Sequence, residues 1–449
     1  MKVLLVSANT MIQPYPAYPI GLDYVRNAIS PPHDVKNVDM NELKDDVTLA
    51  AVLDDYNPDV VGISIRNIDN ADDTHTESFV AKIRTIIGVV RRHSTGRIVL
   101  GGSGFTILPG EFMARLDADF GVIGEGERFL QILAALERGE PVSGLPGVVV
   151  GREQAIFPEP LAIPISRGVI PDQSYRSFYL RRGGMLNLQT KRGCPFSCIY
   201  CTYPHIEGSR FRFVPPDDVA RTARILQDGG AKYLYITDSS FNGSYDHSTA
   251  VALAFRNAGV SIPWGGFFTP TAPPPDYYKR LADVGLMHVE FGTEALSDAM
   301  LCAYRKPFRK EDVYKSHCLV VEAGIHVAHY LMIGGPGEDN QTLDETLANA
   351  ESLDKAVFFV FSGVRIYPHT ALFDLAMKEG RIGTGTDLLD PVFYWSPALQ
   401  RDLVMRRMED HAKGRGNWVV GSGPPGMNRV IARLHSRGYV GPLWEHLVQ

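Results

Sequence analysis

The chain has 449 residues, 45 Lys and Arg against 51 Asp and Glu, a formal net charge of −6, and 45% hydrophobic to 21% charged residues. That length allows two or three domains at about 150 residues each, and the composition excludes a disordered or fibrous chain. The thin negative charge disfavours a polyanionic partner, so no nucleic acid is expected, and no run approaches the roughly 20 apolar residues of a membrane helix.

Met1 leads straight into Lys2-Val3-Leu4-Leu5-Val6, a buried-strand pattern rather than a signal peptide, which points to the cytoplasm. Apolar runs bounded by turn residues follow at 59–65, 97–101 and 120–124, with a weaker one at 36–39 and helix-like stretches between. Such alternation predicts a doubly wound parallel sheet over residues 1–140. Its strand ends run into Ser7-Ala8-Asn9, Ser64 to Asn70, Gly101 to Gly104 and Gly124 to Glu127, four loops that should share one ligand-binding rim.

Residues 141–184 carry prolines at 141, 146, 158, 160, 164 and 171 and read as a linker with short irregular strands. Strand-like runs recur at 185–190, 232–237, 262–268, 287–292, 327–333 and 357–366, with helices predicted at 216–228, 246–258, 275–284, 310–323 and 341–353. Six strand–helix repeats over 185–384 suggest a partial (β/α)6 barrel of the TIM type. The tail, 385–449, is rich in Gly, Pro and aromatic residues and should pack across the second domain.

Three of the five cysteines, Cys194, Cys198 and Cys201, fall in Lys191-Arg192-Gly193-Cys194-Pro195-Phe196-Ser197-Cys198-Ile199-Tyr200-Cys201, directly after a predicted strand. Five cysteines in this length make no disulfide framework. Three thiolates on one loop can hold three irons of a cubane cluster and leave the fourth open. The alternatives are a structural zinc site, which wants four ligands, or three unrelated buried thiols. Cys302 and Cys318 read as small apolar packers, and His317, His326 and His329 as surface or packing residues.

This C-x3-C-x-aromatic-C loop, with Tyr200 as the aromatic, resembles the signature of the radical SAM superfamily. The resemblance implies a 4Fe-4S cluster on Cys194, Cys198 and Cys201, S-adenosylmethionine chelated by the open iron, and a 5′-deoxyadenosyl radical that abstracts hydrogen. It also implies a reductase such as flavodoxin or ferredoxin as electron donor. By the same resemblance Asp238 and Ser239, in Thr237-Asp238-Ser239-Ser240-Phe241, contact the methionine amino group. Glu294 meets the ribose hydroxyls, and Gly334, Gly335, Pro336, Gly337 and Glu338 approach the adenine. The tract Gly363 to Thr370 is similar to the family's last barrel segment.

Tyr18-Pro19-Ile20-Gly21-Leu22, Pro58 to Ser64, Gly101-Gly102 and Gly124-Glu125-Gly126-Glu127 resemble the cobalamin-binding-like domain that precedes the barrel in one branch of that family. The D-x-H-x-x-G pattern of a lower-face histidine is absent. Arg66, Asn67, Asp69 and Asn70 are suited to gripping a hydroxyl- or amine-rich small molecule, or else form a turn bonded to its own backbone. With this loop and a tail of some 60 residues, short branch members that are lipid-pathway enzymes or the apramycin-pathway deoxygenase offer the leading expectation. That expectation is a lyase that dehydrates or deoxygenates a polyol or amino sugar, with cobalamin possible but not favoured. A cobalamin-dependent C-methyltransferase is the alternative.

Overall fold

A computed structural model describes residues 1–12, 15–151, 153, 155–162, 165–168, 176–423 and 426–448. The first sheet holds β1 (Lys2–Ser7), β2 (Asp34–Asp39), β3 (Val60–Ser64), β4 (Arg97–Gly101), β5 (Phe120–Val122) and β6 (Val148–Val150), in the order β2-β1-β3-β4-β5-β6. The first five strands are parallel and β6 is antiparallel to β5. Alternate residues of one strand serve different cores. Leu4 and Val6 join Val61 and Ile63 on one face, whereas Val3 and Leu5 join Val60 and Val99 on the other. Burial on both faces is why these strands read as unbroken apolar runs.

The second sheet has the order β17-β14-β13-β12-β11-β10-β7, with every pair parallel. Its strands are β7 (Met185–Leu188), β10 (Tyr233–Ile236), β11 (Trp264–Phe268), β12 (Leu286–Glu294), β13 (His326–Ile333), β14 (Ala356–Ser362) and β17 (Trp418–Val420). Two short antiparallel ribbons complete the set, β8 (Lys191–Arg192) with β9 (Arg212–Phe213) and β15 (Val364–Arg365) with β16 (Phe393–Tyr394). Leu234, Ile236, Val289, Phe291 and Phe358 pack under the helices, while Tyr233, Tyr235, Phe359 and Val419 line the opposite, inner face. The fold is therefore α/β throughout, a doubly wound sheet followed by a partial barrel.

Several elements differ from the sequence reading. β6 is one of the short strands expected in 141–184 but pairs into the first sheet, a helix at Arg176–Leu180 follows in the same segment, and β17 comes from the segment read as tail. A three-residue strand is too short to show a period, so only its partner reveals it. The tail also reaches the first domain, where Leu388 and Leu389 enter its core. Cys302 and Cys318 are exposed rather than packed. His317 and His329 are buried against each other, with Nδ1 of the first 3.1 Å from Nε2 of the second, while His326 is exposed.

Candidate functional site

The cysteine loop is built by backbone constraint. β7 ends at Leu188, and Gly193 adopts φ +85°, where an added Cβ would lie 2.1 Å from the Arg210 carbonyl oxygen. Only glycine fits there. The Cys194 N–H then donates to Gly208 O (3.0 Å), Ile199 N–H to Tyr304 O (3.2 Å) and Cys201 N–H to Cys198 O (3.1 Å). All three thiols are free, Cys194 buried and the other two half-buried. Burial raises the Cys198 thiol and pushes Cys201 up to about 12, and in both the neighbouring loop thiols add to the rise. With ionisation of Cys198 and Cys201 opposed in this way, the two need a cationic partner to be held as thiolates. The donor set fits an iron–sulfur cluster with one open iron.

Glu294 closes β12 in the left-handed region at φ +59° and pairs with buried Lys306 at 2.5 Å. Lys306 also donates to the Tyr200 hydroxyl at 3.3 Å. Burial works against the Lys306 charge, but Glu294 and the Cys198 thiol outweigh it, so its pKa lies above the ordinary lysine range. Sequence reasoning missed Lys306, because a lysine in a turn after a short helix carries no pattern of its own. Its place beside the cysteine loop appears only in the fold.

The Gly334–Glu338 turn sits behind the same group. Glu338 accepts the backbone N–H groups of Gly334 and Gly335, and Tyr304, which stacks edge-on to Tyr200, leaves no space for a Cβ at Gly335. The structure thus brings Tyr200, Glu294 and the turn together around Cys198 and Cys201. Asp238 and Ser239 are placed differently. The Asp238 carboxylate is enclosed, accepting from Thr190 N–H (2.7 Å), Thr190 Oγ1 (2.5 Å) and Lys191 Nζ (2.8 Å), and Ser239 Oγ donates to Gly193 O (2.9 Å). Both brace the base of the cysteine loop.

A cavity of about 480 Å³ lies at the carboxyl ends of the first sheet's strands. Gly101 to Gly104 and Gly124 to Glu127 line one side, Tyr18 to Leu22 another, and Arg192, Thr202, Tyr203 and Glu207, which flank the cysteines, the side facing the barrel. The cavity fits a large planar cofactor laid across strand ends. A Cβ on Gly21 would meet nothing within 4 Å, and Asn67 Oδ1 lines the space buried and without a partner among the described residues.

The four loop residues separate. Arg66 is exposed and lines the cavity with Asn67. Asn70 bonds its own loop, donating to His75 O (2.6 Å) and accepting from Glu77 N–H (3.0 Å). Asp69 is buried against Arg365 at 2.9 Å and caps Ala71 N–H at 2.8 Å.

Residues 188–350 match the radical SAM superfamily and residues 13–134 match the B12 binding domain, together more than half of the chain. The chain belongs to the radical SAM branch with an N-terminal cobalamin-binding-like domain. It is 26% identical over 405 residues to an uncharacterized methyltransferase of Pyrococcus horikoshii, covering 86% of this chain and 85% of the relative. It is 24% identical to tryptophan 2-C-methyltransferase of Streptomyces laurentii, covering 82% and 73%. The radical S-adenosylmethionine methyltransferase TsrM from Kitasatospora setae, solved with cobalamin and a 4Fe-4S cluster bound, shares the fold. Its TM-score is 0.88 at 20% identity, over 99% of this chain and 97% of that one.

These findings correct the leading expectation. The lyase that dehydrates a polyol or amino sugar is overturned, because the relatives are methyltransferases. The disfavouring of cobalamin is overturned by the B12 binding domain match and by the cobalamin in TsrM. The physical grounds for the lyase also fail, since Asp69 and Asn70 are engaged within the protein. The short tail is no argument either, because the chain covers 97% of the TsrM chain. Among the described residues no helix is long and apolar enough to cross a membrane.

Proposed function

We propose that the chain is a cobalamin-dependent radical SAM methyltransferase that modifies a small molecule. The observation that carries this reading is the strand-end cavity of the B12 binding domain, whose barrel-side wall is formed by the residues flanking the three cysteines. Cobalamin bound there supplies a carrier for a methyl group taken from S-adenosylmethionine, and the 4Fe-4S cluster supplies one-electron chemistry.

Cys194, Cys198 and Cys201 hold the cluster. Tyr200, Glu294 and the Gly334–Glu338 turn border S-adenosylmethionine, and Lys306 keeps the buried Glu294 charge paired. Asp238 and Ser239 act one step away, fixing the loop that carries the thiols. Arg66 and Asn67 face the cobalamin cavity. A reductase of the flavodoxin or ferredoxin class delivers the electron.

The test is anaerobic reconstitution with iron, sulfide and hydroxocobalamin, followed by methyl-labelled S-adenosylmethionine and a reductant. Four irons and one cobalamin per chain, with formation of S-adenosylhomocysteine, are expected. Protein that retains no cobalamin and yields 5′-deoxyadenosine alone refutes the proposal.

A further inference from the structure

A second cavity, of about 290 Å³, lies where the loops after β1 and β3 meet the inner face of the second sheet. Its inner wall is aromatic. Tyr330, Phe359 and Phe361 stand on the adjacent strands β13 and β14, with the Tyr330 ring at 24° to Phe359 (centroids 5.0 Å apart) and at 6° to Phe361 (6.1 Å). The Tyr330 hydroxyl donates to buried Glu290 at 2.7 Å, which fixes the ring and engages its polar end within the protein. Neighbouring, nearly parallel rings offer a surface on which a planar ring stacks.

The outer edge has a different character. Asp72 and Glu77 lie on it, and no Lys or Arg lines the cavity among the described residues. Asp72 is held in place by Thr74 Oγ1 (2.5 Å) and Ser422 Oγ (2.7 Å), whereas Glu77 is exposed. Two carboxylates with no cation attract an ammonium group and repel a third carboxylate. Asn70 lines both this cavity and the larger one, so a molecule seated here stands beside the cofactor space.

We propose that the second cavity is the methyl-acceptor site, and that it takes a planar aromatic amine lacking a free carboxylate. The ring lies on the Tyr330 and Phe361 faces and the amine points to Asp72 and Glu77. The identity of the cavity as acceptor site rests on the methyltransferase reading, whereas the ligand chemistry rests on the cavity itself.

The experiment uses reconstituted holoprotein with its iron and cobalamin contents measured first, and equilibrium dialysis of tryptamine, tryptophan and 2-cyclohexylethylamine. Tryptamine should bind about tenfold more tightly than either of the others. Phe361→Leu should weaken tryptamine binding about fivefold and Glu77→Gln about threefold, both at unchanged cobalamin content. Equal binding of the three probes, tighter binding of tryptophan, or unchanged tryptamine affinity in both variants overturns the inference. Absence of cobalamin from the wild-type protein refutes the methyltransferase reading instead, and the dialysis result then decides the ligand chemistry alone.

Discussion

Lys306 and Glu294 form a buried ion pair next to the thiols, with side chains 8% and 11% exposed. Removing one member of such a pair strands the other charge in a poorly solvated place, a loss of about 3–5 kcal/mol, whereas replacing both by neutral groups costs much less. Lys306→Met should therefore destabilise the protein strongly, and the double variant Lys306→Met/Glu294→Gln should recover at least half of that loss in urea unfolding. Additive losses would show that the two groups do not interact. Glu338 offers a pH test. Burial raises it to about 7, against the lowering effect of the Gly334 and Gly335 N–H groups. A carboxyl whose folded pKa exceeds its unfolded value of about 4.5 binds its proton more tightly when folded, so stability falls as pH rises from about 4.5 to 7. Glu338→Gln keeps an acceptor oxygen for the two N–H groups and removes the titration. Its melting temperature relative to wild type should be higher at pH 8 than at pH 5, and a pH-independent difference would contradict the assignment.

At the scale of elements, the cysteine loop shows what a sequence can and cannot convey. The spacing of Cys194, Cys198 and Cys201 and the apolar run of β7 are local, so both the motif and its place after a strand were legible. The brace beneath the loop was not, because Thr190 and Asp238 are 48 residues apart and meet only through the parallel pairing of β7 with β10. By resemblance Asp238 belongs with the ligand contacts, and in the structure its carboxylate is enclosed between Lys191 and Thr190 beneath the loop. The place of β6 in the first sheet, and β17 as a strand at all, were illegible for a similar reason, since both come from the neighbours they pair with. Gly193 tests the backbone argument for the loop. An alanine there meets the Arg210 carbonyl at 2.1 Å and must also hold φ at +85°, so the chain has to move. Gly193→Ala should lose most of its iron on anaerobic reconstitution while retaining the circular dichroism of the wild type. Full iron content would mean that the loop tolerates the shift.

Across the whole molecule, a buried charge cluster joins the first domain to the cysteine loop of the second. Arg192 pairs with Glu125 and Glu127, each at 2.8 Å, and Arg212 joins Glu125 at 2.7 Å. Burial opposes ionisation of Glu125, but the Leu161 N–H and the two arginines overcome it and hold it below the usual carboxylate range. Arg192 stands two residues before Cys194 and pairs with Arg212 across the β8–β9 ribbon, and Glu125 and Glu127 belong to a loop lining the larger cavity, so two guanidiniums tie the cofactor space to the loop that carries the thiols. A ligand that orders the Gly124–Glu127 loop thereby stabilises the loop carrying the cluster, and linkage requires the converse. Hydroxocobalamin should slow chelator-driven bleaching of the cluster absorbance about fivefold or more in the wild-type protein. The double variant Arg192→Met/Arg212→Met cuts both ties, so cobalamin should give that variant little or no protection. If the variant is protected by the same factor as the wild type, the two sites communicate by another route or not at all.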